Sequence, residues 1–211
     1  MKNESVLYGN DDLRIRVEDA ENYGDDSPRD WCPLGTLDLT HQRYNLPCEG
    51  DSVEFVHRMT EFMPLNDAAH ALAKHLKRAG STVVMPVFGY DHGGLVLSTG
   101  PNLLSFPDYV VNGRTGWDSG LLGFVYDTPD SWVEWSPTLE EREKTLAEEV
   151  ALYSQWSNGE VYYLVTEEWN AEMELWQMTD WDAPLEVIGW QNVDREAEEL
   201  AKSVGLEGCE L

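Results

Sequence analysis

The chain has 211 residues, 42% of them hydrophobic, with nine Trp, nine Tyr and five Phe, enough for one large core or two small ones, which excludes disorder for most of its length. Forty acidic residues against 14 basic ones give a net charge of −26. A field of that sign repels nucleic acid and anionic lipid, so direct binding to either is not expected and a positively charged partner is.

In chain order, residues 5–18 read as a hairpin: an apolar run, a turn at Asn10-Asp11, then Leu13, Ile15 and Val17 alternating with Arg14 and Arg16. A polar loop over 19–33 leads to a third strand within 34–44, and Pro47 to Asp51 reads as a turn. A short helix is expected over 53–61. A clearer one spans 66–79, with Asn66 or Asp67 as its cap, an apolar stripe of Ala69, Leu72, Leu76 and Ala79, and Gly80 as its stop. Strands follow near 83–88, 95–98 and 121–126, and the long loop between the last two is a candidate functional surface. Ser136-Pro137-Thr138 opens the next helix, with Thr138 and Glu141 spaced as a capping box and Asn158-Gly159 as its end. Three strands, 161–166, 173–178 and 185–190, are joined by turns at Trp169-Asn170 and 181–184, and a last helix spans 194–204.

This order gives an α+β fold: mixed or antiparallel sheets with about three helices packed on them. The expected division is an N-terminal α+β region, residues 1–130, and an acidic helix–three-strand–helix region, residues 131–211, with one continuous domain as the alternative. Charge supports the division, since residues 1–126 carry 18 acidic and 10 basic side chains and residues 127–211 carry 22 and 4. Cys32, Cys48 and Cys209 are odd in number and lack C-x-x-C spacing, so reduced thiols are expected rather than disulfides or zinc. Residues after Met1-Lys2 do not form a signal-peptide core and no apolar run approaches 18 residues, so a cytoplasmic protein without a membrane span is expected.

Several segments together resemble an uncharacterised family of proteins encoded by phages and other mobile elements. They are Pro28-Arg29-Asp30-Trp31 with Leu34-Gly35-Thr36, His41-Gln42-Arg43-Tyr44-Asn45-Leu46, Met85-Pro86 with Tyr90-Asp91-His92-Gly93, Trp117-Asp118-Ser119-Gly120 with Gly123-Phe124-Val125-Tyr126, and Glu149-Val150 to Tyr153 with Gly159-Glu160-Val161-Tyr162. The chain departs from the pattern at Ile188-Gly189-Trp190, where the family tends to carry a Cys-Trp-Gly-Phe-Tyr-Gly-like strand. The resemblance implies a mobile-element product in a host cytoplasm and carries no catalytic role to any residue.

Two candidate sites emerge from the residues. His41, Asp91, His92, Asp118 and Ser119 offer a histidine, carboxylates and a hydroxyl at turn positions, the materials of a hydrolase or a metal-dependent enzyme. Asp-His-Gly-Gly and Trp-Asp-Ser-Gly are equally turn chemistry, with Asp and Ser bonding nearby amides. No G-x-S-x-G elbow, P-loop or G-x-G-x-x-G run is present, and His70 and His75 are five residues apart, the wrong spacing for a helical zinc pair. No catalytic residue, metal or cofactor is therefore assigned.

The second candidate is the acidic C-terminal region. Glu172 and Glu174 flank Met173 on an expected strand, where side chains two apart are about 6.7 Å apart on one face; that resembles the spacing of successive phosphates. Glu148, Glu149, Glu160, Glu167, Glu168, Asp180 and Asp182 extend the field, and Trp169 and Trp181 add hydrophobic grip. Solvated acidic faces, adapted to high salt, are the plain alternative. The function expected from the sequence is a counter-defence inhibitor that binds a host nucleic-acid-handling protein, such as a CRISPR or restriction complex, through its basic cleft. A mimic of nucleic acid needs no direct nucleic-acid or membrane contact. The alternatives are the enzyme built on His41, Asp91, His92 and Asp118, and an acidic phage structural or assembly protein acting as a homodimer.

Overall fold

The computed structural model describes residues 5–20, 27–113, 118–181 and 183–209, and its fold is α+β. Among the described residues are strands β1 (Ser5–Gly9), β2 (Leu13–Asp19), β3 (Gly35–Leu39), β4 (Val84–Asp91), β5 (Leu95–Thr99), β6 (Ser119–Asp127), β7 (Val161–Asn170), β8 (Leu175–Met178) and β9 (Leu185–Ile188). Four α-helices accompany them: α1 (Ser52–Thr60), α2 (Leu65–Ala79), α3 (Leu139–Ser157) and α4 (Trp190–Ser203). The sheets are antiparallel throughout.

Two compact units result, but they are not divided at residue 130. One unit is Ser27–Ser154; the other joins Met1–Asp26 to Gln155–Leu211. The reason is a long-range pairing: β2 lies antiparallel to β7 from Leu13 opposite Glu168 to Asp19 opposite Tyr162, so the N-terminal hairpin completes the C-terminal sheet.

In the discontinuous unit β7 is central, with β2 and then β1 on one side and β8 and β9 end to end along the other. Ile15, Val17, Leu164 and Val187 pack with Val193, Ala197 and Ala201 of α4. Burying this stripe is what holds a helix whose remaining residues are mostly charged. The helix starts at Trp190 rather than near Asp194, directly after Gly189 turns the chain at φ 80°.

The continuous unit has strand order β3-β6-β4-β5. Val56 of α1 and Ala69, Leu72 and Ala73 of α2 pack against Val84, Phe124 and Tyr126 on one sheet face. Helix α2 has no side-chain cap. Asn66 instead accepts the Val111 amide at 2.8 Å, fastening the loop that follows β5. Asn102 anchors that loop too, its Oδ1 accepting from Val84 N and its Nδ2 donating to Thr82 O and Glu143, while Phe106 and Val110 farther along it stay exposed. At the start of α3 the capping box forms as the sequence indicates: Thr138 N donates to Glu141 Oε2 at 2.7 Å and Glu141 N to Thr138 Oγ1 at 3.3 Å. The backbone bond from Thr138 holds the Glu141 carboxyl below its usual range.

Tyr126, 8% exposed, gives this unit an alkaline limit. Burial, assisted by the charges of Asp38, Asp51 and Glu49, pushes its hydroxyl from 10 up to about 12. The folded state thus keeps the proton to higher pH than the unfolded chain. Its contribution is complete below pH 10 and is lost as pH rises towards 12, by about 2–3 kcal/mol in total. Tyr153, Tyr162 and Tyr163 are raised by burial as well. Urea denaturation at stepped alkaline pH is therefore expected to show falling stability, with a shallower fall in Tyr126→Phe.

Candidate functional site

The discontinuous unit carries 22 acidic and 5 basic residues, the second unit 18 and 9. Every described cation of the first is already matched: Arg14 on Glu167 at 2.6 Å, Arg16 on Glu18 and Glu167, Arg195 on Glu196 at 2.7 Å and Lys202 on Glu198 at 2.6 Å. The remaining carboxylates of the unit have no described cation of their own unit left to pair with.

Those carboxylates do not form the single face that the sequence suggests. Glu148 and Glu149 belong to the other unit, and Glu149 is turned inward, accepting from Leu34 N at 2.7 Å, Gly35 N at 3.0 Å and the Arg29 guanidinium. Burial opposes the Arg29 charge, yet hydrogen bonds and attraction from Glu49 and Glu149 hold its pKa above the ordinary value. Glu148 is exposed and faces Lys144 at 3.6 Å. Glu167 is 8% exposed and neutralised by Arg14 and Arg16. Glu160 precedes β7, about 26 Å along the strand from Glu168. Alternation separates neighbours as well: Trp169 shares a face with Glu167 and Trp176, while Glu168 pairs with Gln177 on the opposite face.

Glu172 and Glu174 are not on a strand. They sit in the turn between β7 and β8, because Asn170 closes that turn by accepting the amides of Glu172 and Met173, both at 3.0 Å. Glu174 holds φ 54°, a left-handed position that costs a non-glycine residue about 1 kcal/mol. The phosphate-like spacing therefore does not apply to this pair. What the hairpin end carries instead is exposed Glu168 and Leu175 on one face, exposed Trp169 edge-on to Trp176 at 5.6 Å on the other, and Glu172, Met173 and Glu174 in the turn between them. Asp180 and Trp181 follow β8, both exposed, with Trp181 at 61%; Asp182 lies outside the described residues.

The residues of the enzyme reading are brought together more closely. His41, Asp91, Asp118 and Ser119 line one cleft of about 590 Å³ in the continuous unit, with Gln42, Arg43 and Leu122. Gly89 lies opposite Gly120 across β4 and β6, and the place a side chain at 89 would take is filled by Leu122 and Leu95, both of which line the cleft. His92 is absent from this lining; it is exposed, with its amide closing the β4–β5 turn onto Gly94 O at 3.1 Å. Trp117 lies outside the described residues.

Within the cleft several of the polar groups are bonded to one another. Asp91 pairs with Arg43 and accepts from the Tyr44 hydroxyl at 3.1 Å, while its amide donates to Asp118 O. His41 Nδ1 accepts the Arg43 amide at 3.1 Å, which puts the ring N–H on Nε2. Among the described residues no cluster of His, Cys, Asp and Glu could hold a metal. His70 bonds Tyr109 O at 2.9 Å and His75 stacks on Phe55. Asp38 raises the Cys48 thiol, which keeps it protonated and poorly nucleophilic.

Arg43, which lines the cleft, and Tyr44, which bonds Asp91, stand in the sequence only as part of the His41–Leu46 segment and not as candidate site residues. Among the described residues no helix is long and apolar enough to cross a membrane. No family model matches the chain, and neither a curated protein nor a solved structure does.

Proposed function

We propose that the protein is a non-enzymatic binder that occupies the basic, nucleic-acid-handling surface of another protein, through the β7–β8 hairpin end of its acidic unit. The observation that carries this reading is the pairing of every described cation of that unit with its own carboxylates. The hairpin end meanwhile leaves Glu168, Glu172 and Glu174 exposed, together with Met173 and Leu175, and Trp169 on its other face. Exposed apolar and aromatic side chains at an anionic hairpin end suit a partner that is basic and partly apolar. Asp180 and Trp181 extend the surface; Glu149 and Glu167 are not part of it. The resemblance to mobile-element proteins makes a host restriction or CRISPR complex the partner class to examine first.

The test is capture from host lysate, with nuclease, by the parent chain and by Glu168→Gln/Glu172→Gln/Glu174→Gln. A captured nucleic-acid enzyme released by added duplex DNA and by salt, and missed by the triple variant, is the expected result. Capture that ignores both competitors, or that survives the variant, refutes the reading.

A further inference from the structure

The cleft of the continuous unit has a chemistry of its own, independent of the hairpin. Two carboxylates, Asp91 and Asp118, line it against one guanidinium, that of Arg43. Asp118 is exposed and has no cation within ion-pair distance among the described residues. Asp91 is largely covered, its side chain 12% exposed, whereas the Arg43 side chain lying on it is 70% exposed. An ion pair so open to water contributes little, so the guanidinium is exchangeable while the carboxylate beneath it is fixed by the Tyr44 hydroxyl. The cleft holds about 590 Å³, room for a side-chain-sized ligand. The net charge of −26 draws cations towards such a cleft and repels anions.

We infer that this cleft is a binding site for a guanidinium or primary ammonium group, with Arg43 as the resident cation that the ligand displaces. The incoming group pairs with Asp91 and reaches Asp118, while the His41 ring N–H and the Gln42 amide offer hydrogen bonds to the neutral part of the ligand. Free amines and basic side chains of a protein share this chemistry, and the probes below separate them.

Calorimetric titration of the full chain with argininamide, spermidine and an arginine-rich peptide tests the assignment. Saturable one-to-one binding of argininamide is expected. It should weaken about tenfold in Asp118→Asn and tighten roughly two- to fivefold in Arg43→Ala as the competitor is removed. Glu172→Gln/Glu174→Gln should leave it unchanged, so a failure here is distinct from a failure of the hairpin reading. Tighter binding of the peptide than of argininamide identifies a protein side chain as the ligand; preference for spermidine identifies a free amine. Equal weakening in Asp118→Asn and in the hairpin variant would reveal a diffuse counterion effect, and weaker binding in Arg43→Ala would remove the displacement; either overturns the inference. Melting curves of both cleft variants, whose altered side chains are exposed, confirm that they are folded.

Discussion

Replacing Glu149 by alanine is expected to destabilise the continuous unit by about 3–5 kcal/mol, whereas the same change at its neighbour Glu148 should stay within about 0.5 kcal/mol. The two residues are adjacent on α3 and chemically identical, so the contrast isolates environment. Glu149 satisfies the amides of Leu34 and Gly35 and pairs with Arg29, whose side chain is 8% exposed. Removing it orphans two amides and weakens the compensation of a covered guanidinium that is also held by Glu49 and Gly35 O. Glu148 has only a solvent-exposed partner, Lys144, three to four ångströms away at 3.6 Å. Urea denaturation followed by circular dichroism checks both variants. Equal, small effects would return Glu149 to the pool of surface charges available to a partner.

A loss of similar size, about 3–5 kcal/mol, is expected for Asp127→Ala. This residue ends β6 at 1% exposure and gathers four donors: the amides of Thr82 and Val83 at 2.7 and 2.8 Å, the Thr82 hydroxyl at 2.5 Å and the Trp132 indole at 2.8 Å. The Arg142 guanidinium stands 4.0 Å away and lies over the Trp132 ring. Alanine would strand these donors where water cannot replace the carboxylate, against a total stability of about 5–15 kcal/mol for a typical domain. Denaturation midpoints measure the loss, and the Trp132 indole N–H resonance reports it directly by losing its protection from exchange. A variant that melts like the parent with that resonance intact would show the network to be dispensable.

Local chemistry was legible from the sequence wherever a residue acts on its immediate neighbours. The Asn10 turn, the Thr138–Glu141 box, the Gly80 and Gly159 stops and the alternation of Leu13, Ile15 and Val17 each appear in the fold, since each is decided within a few residues. Errors arose where a short side-chain bond outcompeted a pattern. Asn170 draws Glu172 and Met173 into a turn, and Asn66 serves Val111 across 45 residues instead of capping its helix. The enzyme-type residues were partly legible: His41, Asp91, Asp118 and Ser119 do share a cleft, while His92 closes a turn.

By itself, then, the sequence determined an α+β chain with a large anionic excess, because element type and net charge follow from periodicity and composition. Only the tertiary structure decided which acids face solvent and which are turned inward. Glu148 and Glu149, or Glu167 and Glu168, are interchangeable in a list of residues. Strand alternation and the long-range pairing of β2 with β7 place Glu167 under two arginines and Glu168 in solvent, and that difference depends on residues more than 150 positions away.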